Sequence, residues 1–131
     1  FYLGSGALYG LACEATLKMK EMSLSSAEAY HTMEFRHGPK SMVDEQTLIV
    51  GLLDKRGYDA EIAVINEMKQ LGATTVTLSP SAGTDIRFEG STERPSLVYY
   101  LPFVQWLAYL RAGNKGLNPD TPRNLDQVVL L

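Results

Sequence analysis

The sequence predicts an α/β fold, a three-layer αβα sandwich built around a mostly parallel sheet. Apolar segments with the character of buried strands alternate along the chain with segments of helical periodicity. One of them, TLIVGLL, is a continuous apolar run, as expected for a strand covered on both faces. With 131 residues, of which 45% are hydrophobic and 21% charged, the chain is long enough for one compact domain, which we assign to residues 1–131.

The first two elements are a short strand and a long helix. Residues 1–3 are apolar and run into a glycine turn, which is typical of a strand that leads into a helix. Residues 7–22 carry apolar side chains at three-to-four spacing, namely Leu8, Leu11, Ala15, Met19 and Met22. This stripe predicts a helix with one face packed on the sheet.

The middle of the chain repeats the alternation of strand and helix. Residues 47–53 are the apolar run quoted above, and residues 73–79 are rich in β-branched side chains, so both are predicted to be strands. Between them, residues 58–71 have the pattern of a helix that ends at Gly72, a typical C-terminal cap. Two strands joined by a helix favour parallel pairing.

The last part of the chain contains a loop, a helix and a polar tail. Residues 81–92 are rich in turn residues and include a short edge strand at 86–88. Residues 97–113 are strongly apolar with Trp106 at the middle, and Pro102 bends or begins this helix. We expect the helix to be core under any function.

Composition argues against several kinds of partner. The net charge of -3, the pI near 5.3 and the scattered Lys and Arg residues predict no binding to nucleic acid. The single cysteine, Cys13, lies in an apolar helical segment, so we expect a small buried hydrophobe, no disulfide and a reducing compartment. No apolar run reaches the roughly 18 residues of a membrane span, and no leader is visible, so a cytoplasmic protein without membrane contact is expected.

A glycine turn follows the first strand. Gly4, Ser5 and Gly6 can present backbone N–H groups and a hydroxyl to an anion, with the positive end of the following helix behind them. A tight strand-to-helix turn without a ligand explains the same residues, since glycine is used for geometry alone. The spacing fits neither a dinucleotide fingerprint nor a Walker loop.

The first helix carries a charged stripe. Glu14, Lys18 and Glu21 stand at i, i+4 and i+7, so they share one helix face. A solvated stripe of ion pairs is the simple explanation. Because the same helix carries small and apolar residues, we expect it to be largely enclosed, and enclosed charges require a reason. A lysine beside Glu21 suits a carboxylate that abstracts a proton.

The chain contains two histidines. His37, in RHGP, titrates near neutrality and can exchange protons with a sugar ring oxygen or hydroxyl, although a polar cap beside the Gly38-Pro39 turn is an equal explanation. His31 follows AEAY in a short extended segment and has the weaker claim. Two histidines and one cysteine at these spacings predict no metal site.

These motifs resemble a known family. The run LGSGALYGLACEATLKMKEMSLSSAEAYHTMEFRHGPKSMV, then QWLAY and DTPRNL, is similar to the sugar isomerase (SIS) domain. The similarity spans residues 3–125 and points specifically to the second of two such domains in glutamine–fructose-6-phosphate amidotransferase and its deaminase, isomerase and deglycase relatives. It implies a flavodoxin-like SIS fold, a phosphorylated sugar or amino sugar as ligand, a first SIS domain upstream and a homodimer.

The resemblance also implies roles for individual residues. Glu21 matches the base that moves a proton between sugar C1 and C2, and Lys18 and Glu14 match the ion-paired residues that support it. His37 matches the histidine that assists ring opening and reaches into the active site of the neighbouring subunit. The family binds the sugar phosphate mainly through its first SIS domain and uses no cofactor in this reaction.

Two departures from the amidotransferase pattern bear on activity. Gln127 stands where the amidotransferase has a lysine that reacts with the ketose carbonyl, and glutamine forms no Schiff base. Ser5 stands where the amidotransferase usually has arginine. These departures favour an isomerase, deaminase or deglycase over complete synthesis of an amino sugar phosphate.

The resulting hypothesis is an enzyme that transfers a C1/C2 proton on a phosphorylated hexose or aminohexose, with Glu21 as base and His37 opening the ring. Backbone donors near Gly4 and Gly6 would stabilise negative charge. One alternative is a phosphosugar-sensing module without catalysis. Another is a domain that braces a paired SIS domain and a dimer interface.

Overall fold

The computed structural model describes residues 1–89 and 97–125. Within them, a single sheet is covered by helices on both faces. The strands are β1 (Tyr2–Gly4), β2 (Ala29–His31), β3 (Leu48–Leu52), β4 (Thr74–Ser79) and β5 (Ile86–Arg87). The helices are α1 (Ala7–Ser23), α2 (Tyr58–Gln70) and α3 (Leu97–Asn114), and two 3₁₀ turns span Glu34–His37 and Pro39–Met42.

All strand pairs are parallel, in the order β2-β1-β3-β4-β5. The chain moves outward from β1 to β2 in one direction and from β3 to β4 in the other. Because such crossovers are right-handed, the helices α1 and α2 fall on opposite faces of the sheet. The predicted three-layer sandwich is therefore confirmed, with the strand order of the flavodoxin-like class.

Successive residues of the inner strands enter two different cores. Tyr2, Val50 and Leu52 pack with α1 and α3 on one face of the sheet. Leu3, Ile49 and Leu53 pack with α2 and with Phe35 of the first 3₁₀ turn on the other face. Both faces of β3 are therefore buried, which explains its continuous apolar run and confirms the prediction of a strand covered on both sides.

Helix α2 and its end follow the predicted local signals. Asp59 and Glu61 lie in the first turn, where acidic side chains complement the helix dipole. The chain leaves the helix at Gly72, whose φ of 104° is a conformation that other residues rarely adopt. The Gly72 N–H donates to the Lys69 carbonyl, and the Ala73 N–H donates to the Met68 carbonyl, which closes the last turn.

One expectation about burial is wrong, and another is confirmed only in part. Cys13 is exposed, because the buried face of α1 is formed by the positions that contact the sheet and α3: Leu8, Leu11, Ala12, Ala15, Thr16, Met19 and Ser23. Helix α3 buries only Tyr100, Val104, Ala108 and Ala112, one position per turn. Trp106 is therefore 58% exposed rather than core, and it stacks on Tyr109 with the ring centroids 5.2 Å apart.

The segment between α1 and β3 holds structure that local patterns indicated only in part. The AEAY segment with His31 forms the edge strand β2, paired with β1. The two 3₁₀ turns follow, with Gly38 between them at a φ of 148°. In the described part of the chain, no helix is long and apolar enough to cross a membrane.

Candidate active site

Three charged side chains lie together on α1. Lys18 Nζ donates to Glu21 Oε2 over 2.9 Å and lies 3.6 Å from Glu14 Oε1. Helical spacing of three and four residues places the three groups over successive turns of one face. The structure thus brings together Glu14, Lys18 and Glu21, which we call the charged triad.

The triad lies at the border between core and solvent. The side chains of Glu14, Lys18 and Glu21 are 40%, 29% and 30% exposed. The small residues of α1 predicted a helix that is enclosed over most of its surface. The structure encloses only the face that packs on the core. The hydrogen bond to Glu21, followed by attraction to both carboxylates, outweighs desolvation and raises the pKa of Lys18 above its ordinary value. Lys18 therefore stays an ammonium at neutral pH.

Only one of the two carboxylate oxygens of Glu21 has a donor in the described part of the chain. Its Oε2 accepts the Lys18 hydrogen bond, while its Oε1 accepts no hydrogen bond from any residue in 1–89 or 97–125. An oxygen without a donor can take a proton from a ligand that approaches from solvent. The arrangement suits proton abstraction next to a carbonyl carbon.

His37 lies on another element and in another layer of the domain. It ends the first 3₁₀ turn, its side chain is exposed, and no hydrogen bond joins it to the triad among the residues described. Phe35 of the same turn is fully buried in the core on the α2 side, whereas Met19 beside the triad belongs to the core on the α1 side. Within one chain, the turn that carries His37 and the helix that carries Glu21 therefore pack on different faces of the sheet.

The glycine turn lies at the opposite end of α1 from Glu21. Fifteen residues at about 1.5 Å each separate Gly6 from Glu21, a distance of roughly 22 Å, so one hexose phosphate cannot contact both. At Gly4, a Cβ atom would lie 2.6 Å from the Leu8 carbonyl oxygen. Close packing of strand on helix is thus a sufficient reason for Gly4, as the second of the two explanations for this turn proposes.

A cleft of about 370 Å³ opens beside that turn, where the crossovers from β1 and β3 diverge. Ser5 and Gly6 line it together with Asp54, Arg56 and the buried Glu61. Glu61 accepts a hydrogen bond from the Asp54 N–H, and Arg56 Nε lies 3.6 Å from Asp54 Oδ2. Two carboxylates and one cation therefore surround the turn, so the cleft is not a simple anion site.

The sequence analysis did not identify Glu67, which contacts Arg36 and Lys40, the residues that flank His37 in the chain. Arg36 Nε donates to Glu67 Oε2 over 2.8 Å, and Lys40 Nζ donates to Glu67 Oε1 over 2.9 Å. Glu67 lies on α2, about thirty positions along the chain from either partner. Opposite charges three or four residues apart on one helix can be recognised in the sequence. The partners of Glu67 lie on a different element, so no local pattern indicates this contact.

The remaining residues that the sequence analysis singled out are His31 and Gln127. His31 pairs in register with Gly4 and stacks on Tyr9 with ring centroids 3.9 Å apart, which gives it a packing role. Gln127 lies outside the described residues. Among those described, no cluster of three or more histidine, cysteine or acidic side chains could hold a metal ion.

The parallel sheet in the order β2-β1-β3-β4-β5, with helices on both faces, defines an α/β domain of the flavodoxin-like class. Within that class, residues 1–90 match the SIS domain. The chain belongs to the SIS domain family, as the motifs indicated.

Several similar proteins are named as enzymes that act on sugar phosphates. Glutamine–fructose-6-phosphate aminotransferase (isomerizing) of Sulfolobus acidocaldarius is 38% identical over 133 residues, which covers 98% of this chain and 22% of that protein. Glucosamine-6-phosphate deaminase of Thermotoga maritima superposes with a TM-score of 0.88 at 34% identity, over 99% of this chain and 40% of the other. Tagatose-6-phosphate ketose/aldose isomerase of Escherichia coli gives a TM-score of 0.81 at 27% identity, over 92% and 37%. This chain thus spans about a fifth of the length of the aminotransferase.

Proposed function

We propose that this SIS domain forms part of an enzyme that moves a proton between C1 and C2 of a hexose 6-phosphate or aminohexose 6-phosphate. The class of reaction is aldose/ketose isomerisation, amino-sugar-phosphate deamination or aminotransfer. The names of the relatives support it, since an aminotransferase, a deaminase and an isomerase share this domain. The observation that carries the proposal is the 2.9 Å contact between Lys18 and Glu21, with the second Glu21 oxygen open to a ligand.

Each residue of the triad has a role in this proposal. Glu21 removes a proton from C2 of the open-chain aldose, or from C1 of the ketose, and returns it to the adjacent carbon through an enediol or enolamine. Lys18 orients the carboxylate and keeps a positive charge beside it. Glu14 holds Lys18 from the other side, at 3.6 Å.

His37 acts on the closed sugar. It exchanges a proton with the ring oxygen and the anomeric hydroxyl, so that the open-chain form is available to Glu21. The imidazole suits this step because its two ring nitrogens can donate and accept a proton at the same site. Its exposed position on a turn leaves it accessible to a ligand held outside this chain.

We place Glu21 of one subunit and His37 of another in the same site of a homodimer. What supports this is the burial of their neighbours in cores on opposite faces of the sheet. A first SIS domain upstream would contribute most of the phosphate contacts, and the exposed aromatic face of α3 at Trp106 and Tyr109 offers apolar surface to another domain or subunit. The predicted cytoplasmic location stays a prediction.

The test of the chemistry is hydrogen exchange at carbon. The full-length protein is incubated in D₂O with ketose and amino-sugar 6-phosphates, and deuterium at C1 or C2 is followed by NMR. We expect exchange with at least one sugar and its loss in Glu21→Gln. Glu45→Gln, which removes an exposed carboxylate far from the triad along the chain, serves as the control and is expected to keep the activity.

A second test addresses the shared site. Glu21→Gln and His37→Asn proteins are mixed after dissociation and allowed to reassociate. Half of the resulting dimers then carry one intact site, so about a quarter of the original activity should return. Saturable binding of a phosphosugar without exchange in the wild type would replace the proposal by a sensing function.

A further inference from the structure

The Glu67 carboxylate joins α2 to the segment that carries His37. Its two oxygens accept from different cations, Oε2 from Arg36 at 2.8 Å and Oε1 from Lys40 at 2.9 Å. Arg36 precedes His37 directly and Lys40 follows it by three residues. One carboxylate therefore fixes both sides of the turn that presents the imidazole.

Few other contacts hold this segment. His37 itself is exposed, and the segment consists of two four-residue 3₁₀ turns joined at Gly38. Such short turns have little stability of their own. Phe35 is buried against the sheet and anchors the first turn, whereas the second turn buries no side chain. Among the described residues, the side-chain hydrogen bonds that join residues 34–42 to another element both end on the carboxylate of Glu67.

The charges of this cluster are in place at neutral pH. Hydrogen bonds from Lys40 and Arg36 lower the pKa of Glu67 below its ordinary range, in spite of opposing desolvation. The carboxylate is therefore ionised at neutral pH. Its contribution is present above the ordinary carboxyl pKa and is lost as the pH falls through the lowered value.

We infer that Glu67 is a positioning residue for His37. The inference rests on the proposed function, because it assigns to Glu67 an effect on a reaction step that His37 carries out. With Glu67 in place, its hydrogen bonds to Arg36 and Lys40 fix the position of the His37 turn relative to α2. Without it, the turn keeps its fold through Phe35, but the imidazole samples positions away from the sugar ring.

The geometry predicts a specific pattern of loss. Misplacement of a reacting group by about 1 Å can cost up to 100-fold in rate, so we expect Glu67→Gln to lower turnover by about 10- to 100-fold. Binding of the substrate should change little, because Glu67 accepts its hydrogen bonds from Arg36 and Lys40 and not from His37 or the charged triad, so KM should stay within about twofold. Exposed ion pairs contribute little to global stability, so the melting temperature should barely move.

The experiment measures segment mobility and turnover in the full-length protein. Backbone amide exchange in residues 34–42 is followed by mass spectrometry, and deuterium uptake at sugar C1 and C2 gives turnover. Asp59→Asn is the matched control, since it removes an exposed carboxylate from the same helix. We expect faster amide exchange in residues 34–42 and reduced turnover in Glu67→Gln, with neither in Asp59→Asn.

A double-mutant comparison separates positioning from general damage. If Glu67 acts through His37, then His37→Asn and the combined His37→Asn, Glu67→Gln protein turn over at the same rate. A further loss of tenfold or more in the double variant overturns the inference, and so does unchanged amide exchange in Glu67→Gln.

The two proposals fail in different ways. A wild-type protein with no exchange at sugar carbon removes the proposed function and, with it, the role given to Glu67. An active wild type whose Glu67→Gln variant has unaltered turnover overturns the inference on Glu67 alone. Turnover restored by Glu67→Asp relative to Glu67→Gln would support a role for the charge.

Discussion

Gly4 is the residue at which strand and helix come closest, and replacing it by alanine is the sharpest test of the fold. A Cβ atom at Gly4 would meet the Leu8 carbonyl oxygen at 2.6 Å, the Leu8 carbonyl carbon at 2.7 Å and the Tyr9 nitrogen at 3.1 Å. All three are backbone atoms in the first turn of α1. No side-chain rotation can relieve the contact, so the helix must move relative to the strand.

The size of the effect follows from the overlap. Moving the Leu8 oxygen out to an acceptable contact needs a shift of roughly 0.4 Å or more in a turn whose side chain, Leu8, is fully buried. Overpacking of this kind costs about 1–3 kcal/mol. Replacing glycine also reduces the entropy of the unfolded chain, which stabilises the folded protein by about 0.4–1 kcal/mol. The net effect of Gly4→Ala should therefore be to lower the free energy of unfolding by about 1–2 kcal/mol.

Two other glycines supply the controls. Gly10 lies inside α1 with no atom within 4 Å of an added Cβ, so Gly10→Ala should raise the stability by about 1 kcal/mol through helix propensity. Gly51 in β3 would place its Cβ 2.9 Å from Ile65 Cδ1, the movable end of a side chain, so Gly51→Ala should fall between the two.

The assay is urea unfolding followed by circular dichroism. With a slope of about 1–3 kcal/mol per molar, the Gly4→Ala midpoint should fall by roughly 1 M. A Gly4→Ala protein as stable as the wild type, or less affected than Gly51→Ala, would refute the argument. It would mean that β1 and α1 are not in the contact described.

Two more predictions concern exposure and pH. Cys13 should react with a thiol reagent in the folded protein without denaturant, whereas protection until unfolding would contradict its exposed position. Burial raises the pKa of Tyr2 to about 12, so the wild type should lose up to roughly 2 kcal/mol of stability between pH 10 and pH 12. Tyr2→Phe should lose less over the same range in alkaline denaturation curves, and equal losses would contradict the shift.

The elements that the sequence predicts well are those with a local cause. The apolar run of β3 predicts that both of its faces are buried, and Gly72 predicts where α2 ends. Strand β2 is three residues long and depends on pairing with β1, so its own sequence carries little periodic signal. The exposure of Trp106 depends on how far the rest of the chain covers α3, which a helical pattern does not reveal.

The site divides in the same way. The charged triad could be predicted because its members lie on one helix at fixed spacing. The contact of Glu67 with Arg36 and Lys40 could not, because it joins two elements that meet only in the folded domain. The glycine turn and Glu21 lie at opposite ends of α1, and the 17-residue length of that helix keeps them apart.

The placement of β1 inside the sheet has a consequence for biosynthesis. Tyr2 and Leu3 leave the ribosome before the rest of this domain, yet their strand partners are β2 and, later, β3, which ends at Leu52. At roughly 5–20 residues per second, the nascent chain exposes these apolar side chains for about 3–10 seconds before both neighbours exist. Chaperones that bind extended apolar segments therefore have a target at the start of this domain during translation.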